Sequence, residues 1–235
     1  RNVILSVLPI HHAYCLSMDI LKGISLGAII CINDSLMRVA KNIKLFKPNM
    51  ILMVPLMIET FAKKLEDVKD LPEKVVKEAV FGSQFHTICS GGAYLNPDYI
   101  ELFERFGIQI LQGYGMTECG PIICYEDWRK FKPGSCGKAV PRMDVRVLSS
   151  DPENIVGEIV CKGPNVMLGY YKNEEATQEV IDKDGWLHTG DLALMDEEGN
   201  VTIKGRSKNL LLSSSGQNIY CLLYTSPSPR DLSTS

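Results

Sequence analysis

With 235 residues, 45% of them hydrophobic, the chain is long enough to bury one large core or two modest ones. Its formal net charge of -3, from 25 basic and 28 acidic residues with no basic run, gives nucleic acid no electrostatic footprint and sets that partner aside. The eight cysteines contain no Cys-x-x-Cys pair and most stand in apolar runs, so they read as small hydrophobes in a reducing, cytoplasmic setting.

From residue 3 to residue 112, short β-branched runs alternate with helical periodicity. Strands are expected over residues 3–8, 28–32, 50–54, 85–89 and 108–112 with helices between them, the signature of an α/β layer with a largely parallel sheet. The longest apolar window, from Cys15 to Ile32, is interrupted by Asp19, Lys22, Gly23 and Gly27, so it predicts a helix and then a strand rather than a transmembrane segment. Peripheral membrane contact stays open. A helix after Ser35 places Leu36, Val39, Ala40 and Ile43 on one face and must stop before Pro48, which disfavours helical dihedrals at Lys47. Another starts at Asn96 as cap with Pro97 in its first turn, packs Tyr99, Leu102, Phe103 and Phe106, and ends at Gly107.

In open α/β sheets, ligands sit outside the carboxyl ends of the strands. Three loops are expected there: Pro9-Ile-His-His-Ala-Tyr14, Ser90-Gly-Gly-Ala93 and Gly113-Tyr-Gly-Met-Thr-Glu118. In the last, Gly113 and Gly115 are expected to break the fifth strand and let backbone approach a ligand, with Tyr114 able to stack on a base. A dinucleotide fingerprint would need a small residue where Glu118 stands, and a carboxylate facing phosphate needs a cation between them. The loop therefore reads as a nucleotide phosphate site that uses a metal, with Glu118 as the Mg²⁺ ligand.

Past Pro121 the texture changes to short strands over residues 143–148, 157–162, 192–195 and 201–204, separated by Gly/Asp/Asn turns and one helix after Asn173. An antiparallel meander or small barrel is expected. Asp191, following Gly190 at what reads as the start of a strand, either caps a turn or accepts hydrogen bonds from paired ribose hydroxyls. Arg206 is either a surface charge or a fork for a phosphate or the same ribose. His11, His12, His86 and His188 offer no metal spacing, and no Gly-x-Ser-x-Gly elbow supports hydrolysis through a serine nucleophile.

Taken together, Ser90-Gly-Gly-Ala, Tyr114-Gly-Met-Thr-Glu, Gly157-Glu-Ile-Val-Cys-Lys-Gly163, Gly169-Tyr-Tyr, Trp186-Leu-His-Thr-Gly-Asp191 and Gly205-Arg-Ser-Lys resemble the adenylate-forming (AMP-binding) superfamily. The match runs over roughly residues 3 to 220. The resemblance implies activation of a small-molecule carboxylic acid by ATP and Mg²⁺ to an acyl-adenylate, followed by attack of a thiol, usually that of coenzyme A as cosubstrate. It implies that Gly92, Ala93, Gly113, Tyr114 and Gly115 line the nucleotide site, with Thr117 at the α-phosphate and Glu118 on Mg²⁺. It further implies Asp191 at the ribose hydroxyls, Arg206 near the ribose, Lys208 as the hinge between domains, and His12 as a ring between the adenylate and the thiol channel. The stretch from Lys208 to Tyr220 is more similar to the long-chain fatty acyl-CoA synthetase branch than to the amino-acid branch.

The implied architecture is an α/β fold with a partly parallel sheet layered with helices, followed by a small antiparallel β-barrel and truncated at both ends. Residues 1–120 would be the end of the α/β half of the large domain and 121–206 the barrel. Residues 207–220 would open the small C-terminal domain, and the Ser/Thr/Pro-biased 221–235 reads as a non-native tail. The family's lysine-bearing phosphate loop would lie before Arg1 and its C-terminal lysine beyond Ser235, so the chain alone is expected to be inactive. Two rival readings stand beside an acyl-CoA synthetase: an adenylation domain loading a carrier protein, and a catalytically dead nucleotide-binding module.

Overall fold

The structure, a computed structural model, describes residues 2–68, 70–130, 132–207, 210–212 and 218–220. The first strand, β1 (Val3–Ser6), leads into α1 (Ala13–Cys15), a π-helical turn (Leu16–Leu21) and α2 (Lys22–Ser25), and then β2 (Ile29–Ile32). This is the helix and strand expected of the longest apolar window. A 3₁₀ turn (Leu36–Arg38) and α3 (Val39–Phe46) precede β3 (Met50–Met53). The Ser35 hydroxyl accepts from the Met37 amide at the start of this segment, and Lys47 ends it in a left-handed conformation, φ 48°, immediately before Pro48. Helices α4 (Pro55–Glu66) and α5 (Glu73–Val80) follow, then β4 (Thr87–Ser90), α6 (Pro97–Arg105) and β5 (Gln109–Gly115). Asn96 caps α6 through the Asp98 amide at 3.0 Å, and Gly107, φ 64°, stops it.

Five parallel strands, then β6 (Ile122–Tyr125) antiparallel to β5 and β7 (Lys138–Ala139) antiparallel to β6, form one sheet in the order β2-β1-β3-β4-β5-β6-β7. The sheet therefore continues past residue 120. One core cluster packs Ile51, Ile88 and Ile110 from the strands against Ile58, Phe61 and Phe103 from the helices. Phe81 sits at its centre, fully buried, with ring centroids 5.3 Å from Phe61, 5.0 Å from Phe85 and 5.9 Å from Phe103.

The second sheet joins β8 (Asp144–Leu148), β9 (Gly157–Lys162), β10 (Leu187–Met195) and β11 (Val201–Arg206) in the order β11-β10-β9-β8, with α7 (Glu174–Val180) inserted before β10. It is an antiparallel meander, and no pairing of β8 with β11 closes it into a barrel among the described residues. Beyond it, β12 (Leu210–Leu212) pairs with β13 (Asn218–Tyr220). The two sheets share a second core, where the thiols of Cys119 and Cys161 lie 3.6 Å apart, both fully buried. Buried Cys119, Cys124 and Cys161 fill apolar space as their sequence setting implied, whereas buried Cys15 meets the Ser6 hydroxyl at 3.2 Å and the Leu8 carbonyl at 3.3 Å.

Two expectations are corrected. Gly113 and Gly115 do not break the fifth strand: β5 runs through both and pairs with β6, Gly113 opposite Tyr125 and Gly115 opposite Ile122. The reason is packing, because a Cβ on Gly115 would stand 1.9 Å from the Pro121 carbonyl oxygen, so glycine is what lets β6 fold back. Asp191, in turn, is not at the start of a strand but inside β10, which begins at Leu187.

Candidate nucleotide site

Parallel pairing in register brings the carboxyl ends of β4 and β5 side by side, Ser90 opposite Gln112. The next residues, Gly91 and Gly113, abut: a Cβ on Gly91 would lie 3.4 Å from the Gly113 carbonyl oxygen and 3.3 Å from the Tyr14 ring. Gly92 follows with φ 85°, a backbone that a side chain rarely adopts, and Ala93 is exposed beside it. Tyr14, on the segment after β1, reaches the Cys89 carbonyl with its hydroxyl at 3.4 Å. Three strand-end segments thus meet. Exposed His12 stands on the first of them, capping α1 by accepting from the Tyr14 amide at 3.3 Å.

The third segment continues as a 3₁₀ turn, Thr117–Cys119, and Glu118 is held there from two sides. Its Oε1 accepts from the Tyr170 hydroxyl at 2.9 Å, and its carbonyl accepts from the Met167 amide at 2.8 Å. No group of three or more His, Cys, Asp or Glu side chains could hold a metal among the described residues. Glu118 alone offers a hard carboxylate oxygen here, which suits Mg²⁺ only as an ion that keeps waters and completes its shell with phosphate oxygens.

The second sheet contributes Asp191 through a bulge. In the pairing of β10 with β9, His188 faces Val160 and Leu192 faces Glu158, so residues 189–191 stand opposite Ile159 alone. Such bulges re-aim side chains. Here the bulge turns Asp191 toward β5, where its Oδ2 accepts from the Tyr114 hydroxyl at 2.7 Å, while its Oδ1 meets Arg206 Nε at 2.9 Å. Asp191 is only 5% exposed, and burial pushes its carboxyl above the ordinary range against the pull of Arg206 and the Tyr114 hydroxyl. Burial and then the Asp191 charge push the Tyr114 phenol well up, so it stays a hydrogen-bond donor. Tyr114 and Arg206 together take two of the about four lone-pair positions on the carboxylate.

The structure thus brings Gly92, Ala93, Gly113 and Tyr114 together at one sheet edge, follows them with Gly115, Thr117 and Glu118, and ties Asp191 and Arg206 to Tyr114. Lys208 and residues 221–235 lie outside the described residues. Tyr170, Glu158 and Thr189 belong to the same constellation; each stands inside a motif named in the sequence, but sequence reasoning gave none of them a role. A carboxylate at Glu158 inside a strand whose neighbours Gly157 and Ile159 are buried was the available signal. Beside β4 and β5 opens a mostly apolar cavity of about 1020 Å³, whose lining includes Tyr14, Met18, Cys89, Leu111, Gly113 and Tyr125.

Residues 1–171 match the sequence model of the AMP-binding enzyme family. The chain belongs to that family. It is 32% identical over 234 residues to a long-chain-fatty-acid–CoA ligase of Salmonella typhimurium, covering 94% of this chain and 39% of the ligase. It is 37% identical over 222 residues to a probable 4-coumarate–CoA ligase of Dictyostelium discoideum, covering 90% of this chain and 38% of that one. Among solved structures, o-succinylbenzoate coenzyme A synthetase from Bacillus subtilis, in complex with ATP and magnesium ion, superposes with a TM-score of 0.75 at 29% identity, over 93% of this chain and 44% of that one. The chain thus spans less than half the length of these relatives. Among its described residues, no helix is long and apolar enough to cross a membrane.

Proposed function

We propose that the protein carrying this chain activates a fatty acid with ATP and Mg²⁺ to an acyl-adenylate and passes the acyl group to the thiol of coenzyme A. The observation that carries this reading is the buried Asp191 carboxylate, held by Tyr114 and Arg206 at the edge where the glycine loops meet. A buried anion with free lone pairs beside exposed glycine backbone is what a ribose with two hydroxyls needs. In this reading Gly92, Ala93, Gly113, Tyr114 and Gly115 line the adenine, Asp191 and Arg206 hold the ribose, and Thr117 donates to the α-phosphate. The apolar cavity reaching Gly113 takes the acyl chain, and His12 stands between adenylate and thiol.

Carboxylate and α-phosphate are both anions, so their approach requires donors and positive charge fixed where new charge develops. Mg²⁺ held by Glu118 would supply Lewis-acid stabilisation there. The Tyr170 hydroxyl keeps Glu118 aimed by holding one of its oxygens.

Pyrophosphate exchange on the full-length protein tests the reading. Exchange should depend on a fatty acid, and Glu118→Gln should lower its rate on the order of hundredfold while nucleotide affinity changes little. Exchange driven only by aryl or amino acids would overturn the substrate, and an unchanged rate in Glu118→Gln would reduce Glu118 to a turn acid.

A further inference from the structure

The bulge that presents Asp191 has a cost. With three residues of β10 opposite one of β9, the regular ladder cannot pair every backbone group between His188 and Leu192. Gly190 adopts φ 71° at its centre. Side chains close the gap: the Thr189 hydroxyl donates to the Ile159 carbonyl at 2.8 Å and accepts from the Asp191 amide at 3.1 Å. The Gly190 amide ends on Oε1 of Glu158 at 2.9 Å.

Glu158 does more than accept one amide. Its Oε2 meets His188 Nδ1 at 3.0 Å, so one carboxylate bridges the residue before the bulge and the residue immediately preceding Asp191. The other ring nitrogen of His188 lies 3.8 Å from Asp182 Oδ2. Glu158 touches neither Tyr114 nor Arg206 by any hydrogen bond among the described residues, and its side chain is 29% exposed. A charge-assisted bond to a backbone amide is among the stronger ones available, and here it fixes a turn that glycine would otherwise leave loose.

We infer that Glu158 is a positioning residue for nucleotide binding: its carboxylate pins the Gly190 amide and the His188 ring, and so aims Asp191 at the ribose. The inference rests on the reading of Asp191 as the ribose ligand. Glu158 acts through the bulge, so its loss should be felt in ATP binding and not in the acid pocket.

The test compares Glu158→Ala, Glu158→Gln and Asp191→Ala in the full-length protein. Glu158→Ala should raise KM for ATP about tenfold, the equivalent of one lost charge-assisted bond, and leave kcat and KM for the acid nearly unchanged. Glu158→Gln keeps an oxygen that can accept from Gly190 and should recover most of that loss. In the Asp191→Ala background, Glu158→Ala should add little, because the group it aims is gone. If Asp191→Ala raises KM for ATP while Glu158→Ala does not, the positioning role is overturned and the ribose reading stands. If Glu158→Ala impairs ATP and acid kinetics alike and Glu158→Gln is no better, Glu158 is merely structural. If Asp191→Ala itself leaves KM for ATP unchanged, the ribose reading falls and takes this inference with it. Should the alanine variant fail to fold, Glu158→Asp, one methylene too short to hold both partners, carries the same comparison.

Discussion

The two sheets deliver residues to the candidate site by different physical means. The seven-stranded sheet presents loops at the ends of parallel strands, shaped by glycine backbone packed against backbone, as where Gly115 admits β6. The four-stranded sheet presents Asp191 from the middle of a strand, through a bulge whose backbone is satisfied by the side chains of Glu158 and Thr189. A region held by backbone fit fails by unfolding when a substitution intrudes. One held by side-chain hydrogen bonds loses function first, because water can replace much of what the fold loses.

That contrast can be broken by substitution, beginning with the apolar layer under the first sheet. Phe81→Ala deletes a fully buried ring that touches three other phenylalanines and should cost about 3–5 kcal/mol in denaturant unfolding. Gly115→Ala drives a methyl group into the Pro121 carbonyl and should cost about 3 kcal/mol, seen as a lower unfolding midpoint. A smaller loss than Phe81→Ala is expected because β6 can shift, but a neutral outcome would show that β6 does not pack as described.

The third prediction is a pH dependence. Glu126 is 3% exposed, and burial pushes its carboxyl up to about 8 even though the Gln112 amide donates to Oε2 at 2.7 Å. The folded state therefore binds a proton that the unfolded chain releases near its ordinary value of 4.5, so this group removes stability as pH rises from there toward 8. Between about pH 5.5 and about pH 7 the loss should be about 2 kcal/mol. Glu126→Gln should flatten that slope, and an unaltered slope would mean that Glu126 is ionised when folded. Thr189→Val, in the bulge, should cost only about 1 kcal/mol in stability. A loss as large as that of Gly115→Ala would erase the contrast between the sheets.

Much of the first sheet was legible because its signals are local. β-branched runs marked all five parallel strands, and Ser35, Pro48, Asn96 and Gly107 marked helix ends within a few residues of the groups they satisfy. The glycine loop after β4 was legible for the same reason. What the sequence hid is non-local: the Tyr114–Asp191 bond joins residues 77 apart and the Tyr170–Glu118 bond residues 52 apart. Gly113 and Gly115 read as breakers because a close approach by β6 leaves no mark on β5 itself. The bulge was invisible too, since register depends on which residue of β9 faces which residue of β10.

The central claim is that Asp191 holds a nucleotide ribose, and calorimetric titration of the full-length protein with ATP and, separately, with the acid tests it most directly. Asp191→Ala removes two charge-assisted bonds of about 1.5–3 kcal/mol each, so the Kd for ATP should rise well over tenfold while the Kd for the acid stays within about twofold. An unchanged Kd for ATP would contradict the account.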